Sequence, residues 1–195
     1  MEKKKKKWDY GNVFLGIFLI LLLIPQTRTP ITVAVNQLKM MVFSPSEMDA
    51  NDQLQLDAFE YHVADLYGNS RSFGIGKGSP VFLGYWATWC GPCIAELPSI
   101  QELHADYGDQ VQFVLLTQEA PEVVRAFLDK RGLDLPVFFP QMDTPKTLYE
   151  SSIPTNYIID GQGTVRVKET GAANWNSGKV RKLLDGMLGK PLSAW

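Results

Sequence analysis

Cys90 and Cys93 are the only cysteines in the 195-residue chain, and two residues separate them in GYWATWCGPCIAELP (84–98). A pair at that spacing suits three kinds of chemistry: half of a zinc site, a structural staple, or a reversible dithiol–disulfide couple. Zinc takes four ligands in a structural site and usually three from the protein in a catalytic one. Besides the cysteines, the chain offers only His62 and His104 as soft ligands. If the residues after Cys90 run as a helix, His104 stands about 21 Å away along the axis at ~1.5 Å per residue. That is too far to share a metal, or to serve Cys90 as a base at hydrogen-bond distance. His104 therefore reads as a surface or boundary residue and His62 as a strand residue. A staple is equally poorly served, because a disulfide stabilises mainly by closing a long loop and this one closes a very short one.

The elements around the pair favour chemistry. PVFLGYWAT (80–88) is a short apolar run rich in aromatic and β-branched residues, the pattern of a buried strand. A helix then fits 91–107, with Ile94, Leu97, Ile100, Leu103 and Tyr107 near one face and a kink expected at Pro98. Cys90 thus falls at a helix N-terminus, where free backbone N–H groups and the positive dipole end favour a thiolate. Gly91 and Pro92 fit the first turn, where proline sacrifices no intrahelical hydrogen bond. Cys93, one turn on, is the more buried of the two and is placed to attack a mixed disulfide formed on Cys90. The residues read as a redox couple.

The rest of the chain supplies a frame. FEYHVADLYGNSRSF (59–73) alternates and turns at Gly68-Asn69, a β-hairpin pattern. VQFVLLT (111–117) is a second buried strand. PEVVRAFLDKRG (121–132) is a helix with proline first and glycine last. PVFF (136–139) is a short strand or extended connector. Residues 154–160 and 164–169 form a hairpin about Gly161-Gln162-Gly163, and 176–188 is an amphipathic helix. Strands alternating with helices predict an α/β domain over 54–195, with a central mixed sheet and helices on both faces. FGIGKGSP (73–80) lacks GxxxxGK[ST] and a following helix, so it is a loop and not a phosphate site.

The N-terminus has another character. Residues 3–7 are an unbroken lysine run, Trp8 and Tyr10 follow, and 13–24 is the apolar run VFLGIFLILLLI. Residues 1–30 hold six basic and two acidic side chains, which leaves 13 basic and 19 acidic over 31–195. The globular part is therefore acidic and gives no reason to expect nucleic acid as a partner. A lysine run abutting an apolar segment reads as membrane targeting, with the lysines kept in the cytoplasm and the remainder exported. Twelve apolar residues span about 18 Å of helix, and counting from Trp8 to Pro25 gives about 27 Å against a hydrocarbon core of ~30 Å. The sequence after it, PQTRTPITVAV, offers only Thr32 and Ala34 as small cleavage-site residues, so an uncleaved signal anchor over 1–30 is favoured over a cleaved signal peptide. Residues 31–53 read as a connector, in which ITVAVNQLKMMVF either lies on the membrane surface or forms a short helix.

WATWCGPC (86–93), with Trp89 immediately before the first cysteine, and SSIPTNYIIDGQGTV (151–165) together resemble the thioredoxin superfamily. Within it they are most similar to the membrane-anchored TlpA/ResA-like thiol–disulfide oxidoreductases of bacteria. The resemblance covers about 54–188. It implies a thioredoxin-like fold and a cis Ile153-Pro154 bond opposite the cysteines, with the Ile153 backbone free to pair with an extended substrate. It implies substrate contacts from Trp89, Gly91, Pro92, Ile153 and Pro154, with Trp86 in the core and Trp89 on the rim. Glu96 matches the glutamate of a CxxCxxE pattern, for which the family implies a buried acid assisting proton transfer; an exposed carboxylate near a helix N-terminus is the plainer alternative. The resemblance further implies cysteine-containing protein substrates, a membrane thiol donor of the DsbD/CcdA type, a periplasmic or other extracytoplasmic location, an association with cytochrome c biogenesis, and no cofactor beyond the cysteine pair. Nothing resembles a peroxidatic cysteine with threonine and arginine partners. One position departs from the pattern: thioredoxins carry a buried Asp six residues before the first cysteine and ResA-like relatives often an Asn, where this chain has Gly84.

Overall fold

The structure is a computed structural model that describes residues 10–23, 33, 35–36 and 44–190. The apolar N-terminal run is helical over α1 (Tyr10–Leu23). At 14 residues it reaches about 21 Å at ~1.5 Å per residue. Among the described residues no helix is long and apolar enough to cross a membrane. Trp8, Pro25 and the lysine run lie outside the described residues. Val33, Val35 and Asn36 are helical, and Val33 packs against Ala95 and Ala172. The end of the expected connector is tied to the domain: Met48 N–H donates to the Arg166 carbonyl at 2.8 Å, and the Arg166 guanidinium pairs with Glu47.

The domain has eight strands, β1 (Leu54–Gln55), β2 (Phe59–Ala64), β3 (Ser70–Ile75), β4 (Val81–Tyr85), β5 (Gln112–Leu116), β6 (Val137–Pro140), β7 (Thr155–Ile159) and β8 (Thr164–Thr170), in one sheet of order β1-β8-β7-β4-β5-β6-β2-β3. β4, β5 and β6 are mutually parallel and the other pairings are antiparallel. The helices are α2 (Gly91–Tyr107), α3 (Pro121–Arg131) and α4 (Gly178–Met187). Local signals explain their ends. Pro121 opens α3 and Gly132 closes it at φ 63, a left-handed conformation that glycine adopts without steric cost. Ser177 Oγ caps α4 by accepting from Val180 N–H.

Strand alternation builds two cores. Phe82, Phe113, Leu115, Val137 and Ile158 face one way and meet Leu97, Leu103, Val124, Leu128, Val180 and Leu184 of the three helices. Val81, Leu83, Val114, Leu116, Tyr157 and Ile159 face the other way and meet Tyr61, Val63, Ile75 and Leu148. The expectation of helices on both faces is therefore corrected: α2, α3 and α4 all bury into a single face. The crossovers β4–α2–β5 and β5–α3–β6 step across the sheet in the same direction, and right-handed crossovers then deliver both helices to the same side. The β2–β3 hairpin, joined to β6 by only two residue pairs, and the segment holding Met142 and Leu148 cover the second face instead.

A buried polar contact locks α2 to α4. Tyr107 Oη donates to Asp185 Oδ1 at 2.9 Å, and burial with the neighbouring carboxylate pushes the phenol up to about 12. Tyr107→Phe removes the donor and leaves a buried carboxylate short of a partner, a loss of about 1–3 kcal/mol. Urea unfolding should report that loss, with far-UV dichroism unchanged.

Candidate active site

Cys90 is the N-cap of α2. Its backbone is extended at φ −83 and ψ 103, and its Sγ accepts from Cys93 N–H at 3.2 Å. One of the orphan donors of the helix start is thus aimed at the sulfur, which favours negative charge there. The two sulfurs are bonded at 2.08 Å. Cys90 is 5 % exposed and Cys93 0 %, so the outer sulfur is Cys90. Gly91 and Pro92 occupy the first turn, and Pro98 lies within the helix.

The loop leading into Cys90 is held by a residue that sequence reading passed over. Glu119, between β5 and α3, accepts from Thr88 N–H at 2.6 Å and from Thr88 Oγ1 at 2.7 Å. Trp89, next along, is 70 % exposed, whereas Trp86 is buried against Phe127, its indole N–H without a hydrogen-bond partner among the described residues. The Ile153-Pro154 peptide is cis. Among the described residues none hydrogen-bonds to the Ile153 backbone. Ile153, Trp86, Trp89, Glu119, Thr144 and Glu150 line a groove of about 510 Å³. Trp89 and Ile153 therefore share one groove. His104 lies in the last turn of α2 against Phe113, and His62 is exposed on β2.

Glu96 is buried, at 1 % exposure, one helical turn beyond Cys93. Its Oε1 accepts from Asn156 Nδ2 at 2.8 Å; its Oε2 accepts from Trp175 Nε1 at 3.0 Å and Ala173 N–H at 3.3 Å. Burial dominates and pushes the carboxyl up to about 8, against the downward pull of these three donors, while the Glu169 charge adds to the rise. Such a group can hold or release a proton near neutral pH inside the protein. Asn156 and Trp175 were not singled out from sequence. Asn156 pairs with Gly84 across β4 and β7, a register invisible without the fold, while Trp175 lies in the irregular segment before α4.

Comparison with known proteins agrees with this geometry. Residues 55–168 match the AhpC/TSA family. The chain belongs to that family. Among curated relatives, the thioredoxin-like protein YneN of Bacillus subtilis is 30% identical over 125 residues, covering 62% of this chain and 74% of that protein. The thiol-disulfide oxidoreductase ResA of Bacillus cereus is 30% identical over 141 residues, covering 71% and 78%. Among solved structures, StoA from Bacillus subtilis superposes with a TM-score of 0.51 at 22% identity, covering 65% of this chain and 95% of that one, and shows the same thioredoxin-like fold. With the Cys90–Cys93 pair in place, the chain is an enzyme of thiol–disulfide exchange.

Glu96 makes stability depend on pH. Folded and oxidised, the group keeps its proton to about pH 8, whereas unfolded it releases it near 4.5. Between those values the folded state binds more protons, so this contribution is full below pH 4.5 and is lost as pH rises through 8. Urea titrations of the oxidised protein at pH 5, 7 and 9 should show wild-type stability declining relative to Glu96→Gln. Parallel curves for the two proteins would contradict the assignment.

Proposed function

We propose that the protein is an exported, membrane-tethered reductant of disulfides in cysteine-containing proteins. The observation that carries this reading is the helix-capping Cys90, its sulfur facing the Cys93 N–H, beside a groove shared by Trp89 and Ile153. In the reduced protein the Cys90 thiolate attacks a substrate disulfide, forming a Cys90–substrate bond and releasing one substrate thiolate, which is protonated by solvent. Cys93 gives its proton to the Glu96 carboxylate and attacks Cys90 Sγ, closing Cys90–Cys93 and expelling the second substrate thiolate. Two electrons have then passed to the substrate. In the return half, a thiol donor attacks Cys90, and Glu96 hands its proton to the departing Cys93 sulfur. The couple needs no cofactor beyond the two cysteines. Trp89 and Pro92 form the substrate-facing rim over the buried Gly91, and the Ile153 backbone beside Pro154 pairs with an extended substrate segment.

The reducing direction rests on the Gly91-Pro92 dipeptide, shared with thioredoxin at about −270 mV rather than with the oxidant DsbA at about −120 mV. A measured potential near the latter would make the protein an oxidase. Tethering and export rest on the lysine run at 3–7 and the apolar run at 13–24. Regeneration then falls to a membrane thiol donor of the DsbD/CcdA type. Apocytochrome c, whose haem-binding cysteines must be reduced, is one fitting substrate.

Cys93→Ser tests the exchange mechanism. It leaves the nucleophile but no resolving thiol, so mixed disulfides should accumulate on Cys90 in cells and disappear in Cys90→Ser/Cys93→Ser. An empty trap under oxidising growth, with thiol-dependent peroxide consumption by the pure domain, would point to peroxidase chemistry instead.

A further inference from the structure

Gly84 and Asn156 are register partners on β4 and β7, on the face that carries α2. A Cβ placed at residue 84 would come within 2.3 Å of Asn156 Oδ1 and 3.0 Å of Leu115 Cδ2. The first contact is far below any tolerated separation, so the Asn156 amide occupies the space that a residue-84 side chain would need. From there its Nδ2 reaches Glu96 Oε1 at 2.8 Å, with Asn156 itself 1 % exposed. The glycine and the asparagine are one arrangement.

The chemistry of Glu96's three partners sets Asn156 apart. The Trp175 indole and the Ala173 backbone N–H can only donate. Both bond Oε2, so when the carboxyl is neutral its proton belongs on Oε1, facing Asn156. An amide carries a donor and an acceptor at the two ends of a planar group, and the torsion that exchanges them is broad and roughly two-fold. Asn156 alone among the three can donate to the carboxylate and, after turning over, accept from the acid. A Cβ at 84 would obstruct that turn.

Resting on the reading of Glu96 as the internal proton carrier, we propose that Asn156 is a positioning residue for proton transfer between Cys93 and Glu96, its amide reversing as Glu96 gains or loses the proton, and that Gly84 is glycine to leave it room. The balance is simple: the S–H bond of Cys93 breaks, the O–H bond of Glu96 forms on Oε1, and Asn156 exchanges donor for acceptor. No electron moves in this step. Glu169 on β8 is the charged group that acts on the carboxyl, Cys93 stands one turn before Glu96 on the same helix, and β7 and the 171–175 segment present only neutral groups there. Because a bond to a charged acceptor is about twice as strong as a neutral one, the amide on balance favours the carboxylate.

The test uses the full chain and two readouts that a merely structural role would not move. One is the Glu96 carboxyl band in infrared difference spectra of the oxidised protein, followed over pH. The other is the pH profile of the intramolecular step, measured from a mixed disulfide preformed on Cys90. In Asn156→Ala the carboxyl should ionise at higher pH, and the intramolecular step at pH 7 should slow roughly tenfold, the effect of one hydrogen bond to a charged group. Gly84→Asn/Asn156→Gly, which returns an amide from the facing strand, should bring both readouts back toward wild type. If the alanine variant does not fold, Asn156→Ser, which keeps a hydroxyl in a smaller side chain, should move both readouts in the same direction. A folded Asn156 variant with wild-type ionisation and profile would overturn the proposal. A flat response in Glu96→Gln itself, with the wild-type profile retained, would instead remove the reading of Glu96 as the proton carrier, and the proposal with it.

Discussion

The structure is organised around a carboxyl group that has no access to water. Taking a carboxylate into a protein interior costs several kcal/mol unless its lone pairs are met by donors. Two separate places in the chain supply three donors to Glu96: Asn156 on β7, and Ala173 and Trp175 on the segment leading to α4. Satisfying one side chain therefore fixes both β7 and the segment before α4 against the active-site helix. The same register is reinforced along α2, where Ser99 Oγ donates to the Glu96 carbonyl and accepts from Trp175 N–H at 3.2 Å. Further down, Tyr107 and Asp185 join the far ends of α2 and α4, and Arg181 pairs with Asp106. The donors soften the burial of Glu96 without cancelling it, so the carboxyl remains protonatable near neutral pH.

At the other sulfur the forces run the opposite way. Cys90 stands at a helix N-terminus with a backbone N–H directed at it, which stabilises negative charge on the sulfur. Glu119 stands on the same approach loop, and its charge alone would oppose a thiolate. Both of its oxygens are committed to Thr88, through the backbone N–H and the hydroxyl. That pairing holds the loop before Trp89 in place. The couple is thus asymmetric: an outer sulfur favoured as the anion, an inner one set beside a buried acid.

Much of this was legible in the sequence, and the reasons are local. Helices 91–107 and 121–132 carried their own punctuation, proline at the start and, for the second, glycine at the end. The strands at 81–85 and 112–116 are short and built mostly of apolar residues, VFLGY and QFVLL. The burial of Glu96 has a signal in the sequence: in CIAELP the acid is enclosed by apolar residues, and Cys93, Ile94, Ala95, Glu96 and Leu97 are consecutively buried, so that turn of α2 has no solvent face. The side of the sheet taken by each helix was not legible, because it depends on strand order and not on periodicity. Gly84 was visible as an anomaly, but the destination of the missing polar group depends on which residue of a distant strand lies opposite it. Pairing register of that kind is a property of the folded sheet. Glu119 and Trp175 escaped for the same reason, since each acts across a gap in sequence from a segment without periodic pattern.

The unequal burial of the two sulfurs explains why an internal acid belongs here at all. Cys93 has no exposure, whereas Cys90 retains a little beside an open groove. In the proposed cycle a substrate or donor sulfur therefore approaches Cys90, and each turnover changes the protonation of the fully buried Cys93 sulfur. Were Cys93 to leave as a bare thiolate in that setting, its charge would meet the same desolvation cost that holds Glu96 neutral. In the proposed cycle a neutral acid one turn away removes the problem, because handing its proton to Cys93 would exchange a buried thiolate for a buried carboxylate that three donors already face. The charge moves to the place built to receive it.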